Sequence, residues 1–213
     1  MSDPATSRRY DAVLFDLLTA LIDSWTLWNE IAGSEEGGLR WQQRYLALTY
    51  QAGAYVPYEE LVARAAVETA LGDACAEALL RRWGELPPWP ETHAVVGALA
   101  RRVPLGIVTN CSRRLGLIAA ARAGGQFATV VTAQDVGYYK PRPETYRAAL
   151  AALKGDPGRT LFVAGSPADV PGARNAGMTV YWHNRIGLKP LDDVAPDFTE
   201  TTLHRLLDLV PPV

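Results

Sequence analysis

Beyond residue 90, short apolar runs take turns with longer helical stretches. The runs fall at residues 105–108, 127–131, 160–163 and 179–182, and helices are expected at 92–102, 113–122, 143–153 and 170–176. Apolar runs this short, each followed by a helix, predict parallel strands joined by crossovers, with helices on both faces of the sheet. Local signals agree. Arg101 and Arg102 close the first helix at its negative pole, Pro143 opens another, and Gly177 ends the last. Residues 135–143 read as a loop carrying Lys140, and residues 201–210 as an amphipathic tail helix with Phe198 packed ahead of it. An N-terminal run at 10–15 supplies one more strand, after a polar start at 1–9 that reads as frayed.

Between these α/β segments the texture changes. From Trp25 to Trp83 the pattern is helical, with no strand-like run. Leu39, Trp41, Tyr45, Leu46 and Tyr50 recur near the helical period, after a turn-rich break at 33–38. Further helices are expected at 58–71 and 73–83, and Pro87-Pro88-Trp89-Pro90 stops the series. The expected organisation is an α/β core at 1–23 and 89–213, with a helical cap at 24–88 inserted after the first strand.

Composition excludes several classes of function. The 213 residues are 48% hydrophobic and 21% charged, with a formal net charge of −2. No basic excess serves a nucleic acid and no amphipathic basic stretch serves a membrane surface. The two cysteines and three histidines have neither disulfide-framework nor zinc-ligand spacing. No apolar segment of a secretory signal opens the chain, so a cytoplasmic setting is expected. The aromatic cap residues suit a homodimer contact or intramolecular packing alike.

Polar groups gather at the ends of the strands: Asp16 after the first, Thr109 and Asn110 after the second, Lys140 in the following loop, and Ser166 with Asp169 after the fourth. In a parallel sheet these ends share one edge, where open α/β folds place their ligands. Lys140 can hold Asp16 ionised and Asp169 can balance Lys140. Thr109 can donate to a substrate oxyanion, and an ionised Asp16 can act as a nucleophile. Read singly, Thr109 and Asp169 also suit helix capping and Lys140 suits a solvated loop.

Phe15-Asp16, Val108-Thr109-Asn110, Tyr139-Lys140-Pro141-Arg142-Pro143 and Val163-Ala164-Gly165-Ser166-Pro167-Ala168-Asp169 resemble, in order, the four motifs of the haloacid dehalogenase (HAD) superfamily. The resemblance spans nearly the whole chain. It implies a Rossmann-like core with a small helical cap, Asp16 as nucleophile, Thr109, Lys140 and Ser166 as catalytic partners and Asp169 as an orienting acid. The phosphatases of that superfamily place an acid two residues after the nucleophile and a magnesium-binding Asp before the Ser of the fourth motif. Leu18 and Gly165 stand there instead.

These departures are similar to the L-2-haloacid dehalogenase branch, which implies displacement of halide from a short 2-haloacid with no cofactor and a small anionic substrate. Magnesium enters only under the phosphatase alternative. Asn110 and Tyr146 match that branch's halide-side asparagine and its tyrosine. Its cap arginine is replaced by Gln42, leaving Arg40 or Arg44 as substitutes. Its first-motif hydroxyl falls at Ala20 unless neighbouring Thr19 serves, and its water-holding Ser and Asn fall at Ala164 and Ser166. Three readings therefore stand: a metal-independent dehalogenase, a phosphatase with a weakened magnesium site, and a binding protein with an emptied site.

Overall fold

The computed structural model describes residues 9–124, 126–191 and 193–212. The expected frayed start thus lies outside the described residues, apart from Arg9. Six parallel strands, β1 (Ala12–Phe15), β2 (Leu105–Thr109), β3 (Thr129–Thr132), β4 (Thr160–Ala164), β5 (Thr179–His183) and β6 (Phe198–Glu200), form one sheet in the order β3-β2-β1-β4-β5-β6. Strands buried on both sides read as continuous apolar runs. Val13, Phe15, Ile107, Val163 and Tyr181 face one core, under helices α5 (Thr92–Ala100) and α6 (Arg113–Arg122). Leu14, Phe162, Val180 and Trp182 face the other, against α8 (Pro143–Leu153) and α9 (Asp169–Asn175). Each such side chain contributes about 1.5–3 kcal/mol when fully buried.

The cap comprises α1 (Ser24–Ala32), α2 (Glu35–Gln51), α3 (Tyr58–Glu68) and α4 (Asp73–Arg82), followed by a 3₁₀ turn at Trp83–Glu85. Its two stems run antiparallel: the Asp23 amide donates to Pro87 (2.8 Å) and the Trp89 amide to Leu21 (3.1 Å). Aromatic rings fill its interior, Trp28 against Trp41 (4.5 Å between centroids) and Tyr58 against Tyr45 (5.1 Å) and Trp83 (5.8 Å). Trp83 Nε1 donates to the Leu115 carbonyl (2.9 Å), tying the cap to α6. Among the described residues no helix is long and apolar enough to cross a membrane.

The structure departs from the sequence reading in four places. The break at 33–38 is confined to Gly33, in the left-handed region, and to the α2 cap Ser34, which accepts from the Gly37 amide (3.0 Å). Gly37 and Gly38 are helical. A Cβ on Gly38 would stand 2.8 Å from Asn29 Cα, so glycine lets α2 lie against α1. The loop at 135–143 begins as a short helix, α7 (Ala133–Val136), formed by a capping box between Thr132 and Asp135. Phe198 lies in edge strand β6, and the tail helix shrinks to α10 (Leu206–Leu209). The carbonyls of Thr201 and Thr202 are spent on Arg185 and Tyr181, so no helix starts there. Finally, β1 starts at Ala12 and β3 at Thr129, each two residues late.

Gly38→Ala meets backbone, so the cost of overpacking, about 1–3 kcal/mol, should outweigh the gain of about 1 kcal/mol in helix propensity. Gly97→Ala in α5 meets nothing within 4 Å and should stabilise by up to about 1 kcal/mol. Urea denaturation of the two variants should therefore move in opposite directions.

Candidate active site

The site forms where strand order reverses, at the carboxyl ends of β1 and β4, the usual ligand crevice of such sheets. Asp16 follows β1 directly, its amide bonded to Val163 of β4 (2.9 Å). Its Oδ1 accepts from Lys140 Nζ at 2.7 Å, and its Oδ2 accepts from Thr19 Oγ1 at 3.0 Å and the Thr19 amide at 3.4 Å. Lys140 Nζ also donates to Asp169 Oδ2 at 3.0 Å, and Tyr146 donates from its hydroxyl to Asp169 Oδ1 at 2.8 Å. The Asp16, Lys140, Asp169 and Tyr146 side chains are buried, and Thr19 is half-buried.

The electrostatics follow from that burial. Burial alone would lower the Lys140 pKa, but the charges of Asp16 and Asp169 outweigh it and raise it, so the ammonium persists through neutral pH. Burial pushes the Asp169 carboxyl up to about 6 against the pull of Lys140, with Asp16 adding to the rise. Burial raises the Tyr146 phenol well above its usual range, so it stays a donor. Gly172 gives this phenol room, since a Cβ there would stand 2.5 Å from its oxygen.

Asp16, Thr109, Asn110, Lys140, Ser166 and Asp169 line one cavity of about 670 Å³, counted to its open mouth. Trp25, Trp28 and Tyr50 of the cap line it too. Asn110 does more than face the cavity: its Oδ1 accepts from the Lys140 amide (2.7 Å) and its Nδ2 donates to the Lys140 carbonyl (3.5 Å), clamping that peptide. The Thr109 hydroxyl is turned along its own loop, donating to Cys111 Sγ (3.3 Å) and accepting from the Cys111 amide (3.4 Å). Burial pushes the Cys111 thiol up to about 12, which keeps it protonated. Ser166 accepts from the Ala168 amide (3.3 Å) and lies beside the Tyr50 phenol.

Three expected substrate contacts fall elsewhere. Arg40 pairs with Glu36 at 2.7 Å and Arg44 with Glu68, both on the cap exterior and outside the cavity lining. On α2 the buried stripe runs through Trp41, Gln42, Tyr45 and Leu48, and residues 40 and 44 lie on its flank. Tyr146 stands behind Asp169 rather than on the cavity wall. Sequence reasoning missed two supports of the Asp16 loop: Trp89 Nε1 donates to Thr19 O (3.1 Å), and His183 Nδ1 lies 2.8 Å from Ala20 O. Backbone carbonyls carry no residue-type signal, so neither could be found from the sequence. Thr19, rather than Ala20, supplies the hydroxyl at Asp16.

A parallel-sheet core, a helical cap and a buried Asp–Lys–Asp set at the strand ends define the class. The haloacid dehalogenase-like hydrolase family model matches residues 10–177, and the chain belongs to that family. It is similar to haloacetate dehalogenase H-2 of Moraxella sp. (strain B), 26% identical over 95% of this chain and 99% of that protein. It is also similar to (S)-2-haloacid dehalogenase H-109 of Pseudomonas putida, 28% identical over 83% of this chain and 87% of that protein. Phosphoserine phosphatase of Thermus thermophilus is 36% identical over 66% of this chain and 60% of that protein. Among solved structures, an L-2-haloacid dehalogenase superposes with a TM-score of 0.83 at 27% identity, covering 94% of this chain and 98% of that one.

Lys140→Met should leave two carboxylates facing each other without a counter-ion. The expected loss is about 3–5 kcal/mol in denaturant unfolding, partly recovered in the Lys140→Met/Asp16→Asn double variant. The raised Asp169 pKa has a definite sign: its contribution to stability is complete below the unfolded value of about 4 and is lost as pH rises through about 6. Acidifying from pH 7 to pH 5 should therefore protonate Asp169 and reduce turnover while far-UV circular dichroism shows the fold retained.

Proposed function

We propose that this hydrolase displaces halide from short 2-haloacids, small anionic substrates, without a metal and through an Asp16 ester. The observation that carries the choice is Gly165. A Cβ built there would stand 2.2 Å from Thr19 Oγ1 and 2.3 Å from the Ala20 amide nitrogen. The loop after Asp16 occupies the room that a carboxylate at 165 needs. The remaining acids, Asp16 and Asp169, already share the Lys140 ammonium. Mg²⁺ prefers near-octahedral oxygen ligands, and this donor set does not fit it. Leu18, two residues after Asp16, lines the cavity with an apolar side chain. It has no proton to give an alkoxide leaving group, whereas halide needs none.

In the first step an Asp16 carboxylate oxygen attacks C2 of the acid, forming the C–O bond as the C–halogen bond breaks and halide leaves with the electron pair. Lys140 orients the carboxylate through one oxygen, and Thr19 supports the other. In the second step water adds to the Asp16 carbonyl carbon and the ester C–O bond breaks. That returns the carboxylate and releases the 2-hydroxyacid and one proton, for which Asp169, with a pKa of about 6, is the acceptor beside Lys140. Relatives over most of this chain's length are dehalogenases by name, which supports the same reading.

Chloride should be released from 2-chloropropionate in the presence of EDTA, and Asp16→Asn should lower the rate by on the order of 10³-fold or more. Folded protein that releases no halide from any 2-haloacid, or that needs magnesium and releases phosphate from small esters instead, would overturn the proposal.

A further inference from the structure

His183 ends β5 with both ring nitrogens facing oxygen. Nδ1 lies 2.8 Å from the Ala20 carbonyl, and Nε2 lies 3.3 Å from the Thr201 carbonyl and 4.0 Å from Glu91 Oε1. A neutral imidazole carries one N–H, so it serves only one side. What else each oxygen receives decides which. The Thr201 carbonyl also accepts from Arg185 Nη1 at 3.0 Å, and Glu91 Oε1 accepts from Arg185 Nη1 at 2.7 Å and the Leu203 amide at 3.2 Å. The Ala20 carbonyl, in a fully buried residue, takes its bond from His183. Orphaning a buried acceptor is costly, so the proton belongs on Nδ1.

The charged groups that face the ring are Glu91, at the start of α5, and Arg185, just after β5. They are paired to each other, so their effects on it oppose. Burial decides the balance and holds the His183 pKa below its usual value, which leaves the ring neutral at pH 7. The Ala20 bond matters because of where it falls in the loop after Asp16. Thr19 gives Asp16 Oδ2 two donors, its hydroxyl and its amide. The Thr19 carbonyl is held by Trp89 and the next carbonyl, that of Ala20, by His183. Neither Trp89 nor His183 is among the described residues that line the cavity. Two successive carbonyls are thus pinned from outside, which fixes the turn on which the Thr19 donors are carried.

We infer that His183 is a positioning residue for the Asp16 nucleophile: as the Nδ1–H tautomer it fixes the Ala20 carbonyl and, through it, the Thr19 donors on Asp16 Oδ2. This rests on the dehalogenase reading above and deepens it. The role belongs to one N–H rather than to the bulk of the ring. Packing alone predicts that Phe, flat and of similar size, replaces His183 better than the smaller Asn does. Positioning predicts the reverse, because the Asn amide nitrogen lies as many bonds from Cα as Nδ1 does. The Gln amide nitrogen matches Nε2 instead and aims away from Ala20. Since His183 touches no part of the cavity wall, its loss should fall on kcat and leave KM nearly unchanged.

The test uses the whole protein with His183→Asn, His183→Gln and His183→Phe. Nitrogen-15 NMR of the wild-type imidazoles at neutral pH, with the His183 signals identified by their loss in the variants, should show His183 protonated on Nδ1 and bare on Nε2. The Thr19 amide proton, shifted downfield by its bond to Asp16, should keep its resonance in His183→Asn and move upfield in the other two. With 2-chloropropionate, His183→Asn should hold kcat within about threefold of wild type, while the Gln and Phe variants should lose about tenfold or more. The acid limb that Asp169 sets should persist in His183→Asn. The inference is overturned if His183 is the Nε2–H tautomer or an imidazolium at neutral pH, if Phe serves better than Asn, or if the loss falls on KM. Should the Gln and Phe variants fail to fold, the wild-type tautomer and the Thr19 resonance of His183→Asn decide it. If that resonance follows the donor while no 2-haloacid is turned over, the positioning role stands and the dehalogenase reading falls. Turnover that is indifferent to the donor gives the reverse.

Discussion

A single ammonium holds this site together. Lys140 lies between two buried carboxylates, 2.7 Å from Asp16 and 3.0 Å from Asp169. The ammonium offsets the burial of both acids, and their charges offset its own. The three groups come from three separate segments, so the pairing fixes how β1, the loop after α7 and the start of α9 meet. Asn110 clamps the peptide of Lys140, Tyr146 anchors Asp169, and Thr19 anchors Asp16. Trp89 and His183 in turn hold the loop that carries Thr19. A buried charge set of this kind is weak evidence for stability. Its value lies in holding the Asp16 carboxylate at the wall of a cavity.

The apolar cap completes that presentation. Trp25, Trp28, Leu46 and Tyr50 wall the cavity opposite the strand ends. Excluding water strengthens every interaction inside.

Much of this was legible in the chain itself. Asp16, Thr109, Lys140 and Asp169 sit at strand ends, and a parallel sheet gathers strand ends along one edge. The strand-and-helix alternation was enough to bring them together. The Arg40 and Arg44 expectation failed on helix phase: a step of two residues from Gln42 turns the side chain off the buried stripe, and Glu36 and Glu68 hold both arginines outside. Thr19 and Ala20 could not be separated by sequence, because which of two neighbours faces Asp16 depends on loop geometry. The shortened tail helix has a similar cause, since the carbonyls that would have begun it are taken by side chains distant in sequence. Gly165 read only as a missing ligand, whereas its packing shows that no side chain has room there.

The central claim is that Asp16 forms the ester and that water opens it at the Asp16 carbonyl. A single turnover of excess enzyme with 2-chloropropionate in water enriched in oxygen-18 tests it most directly, followed by proteolysis and mass measurement of the peptide that contains Asp16. A gain of one heavy oxygen in that peptide, with product hydroxyacid unlabelled, is the predicted result. Label in the hydroxyacid and none in Asp16 would mean that water attacks the substrate directly, and would contradict the account.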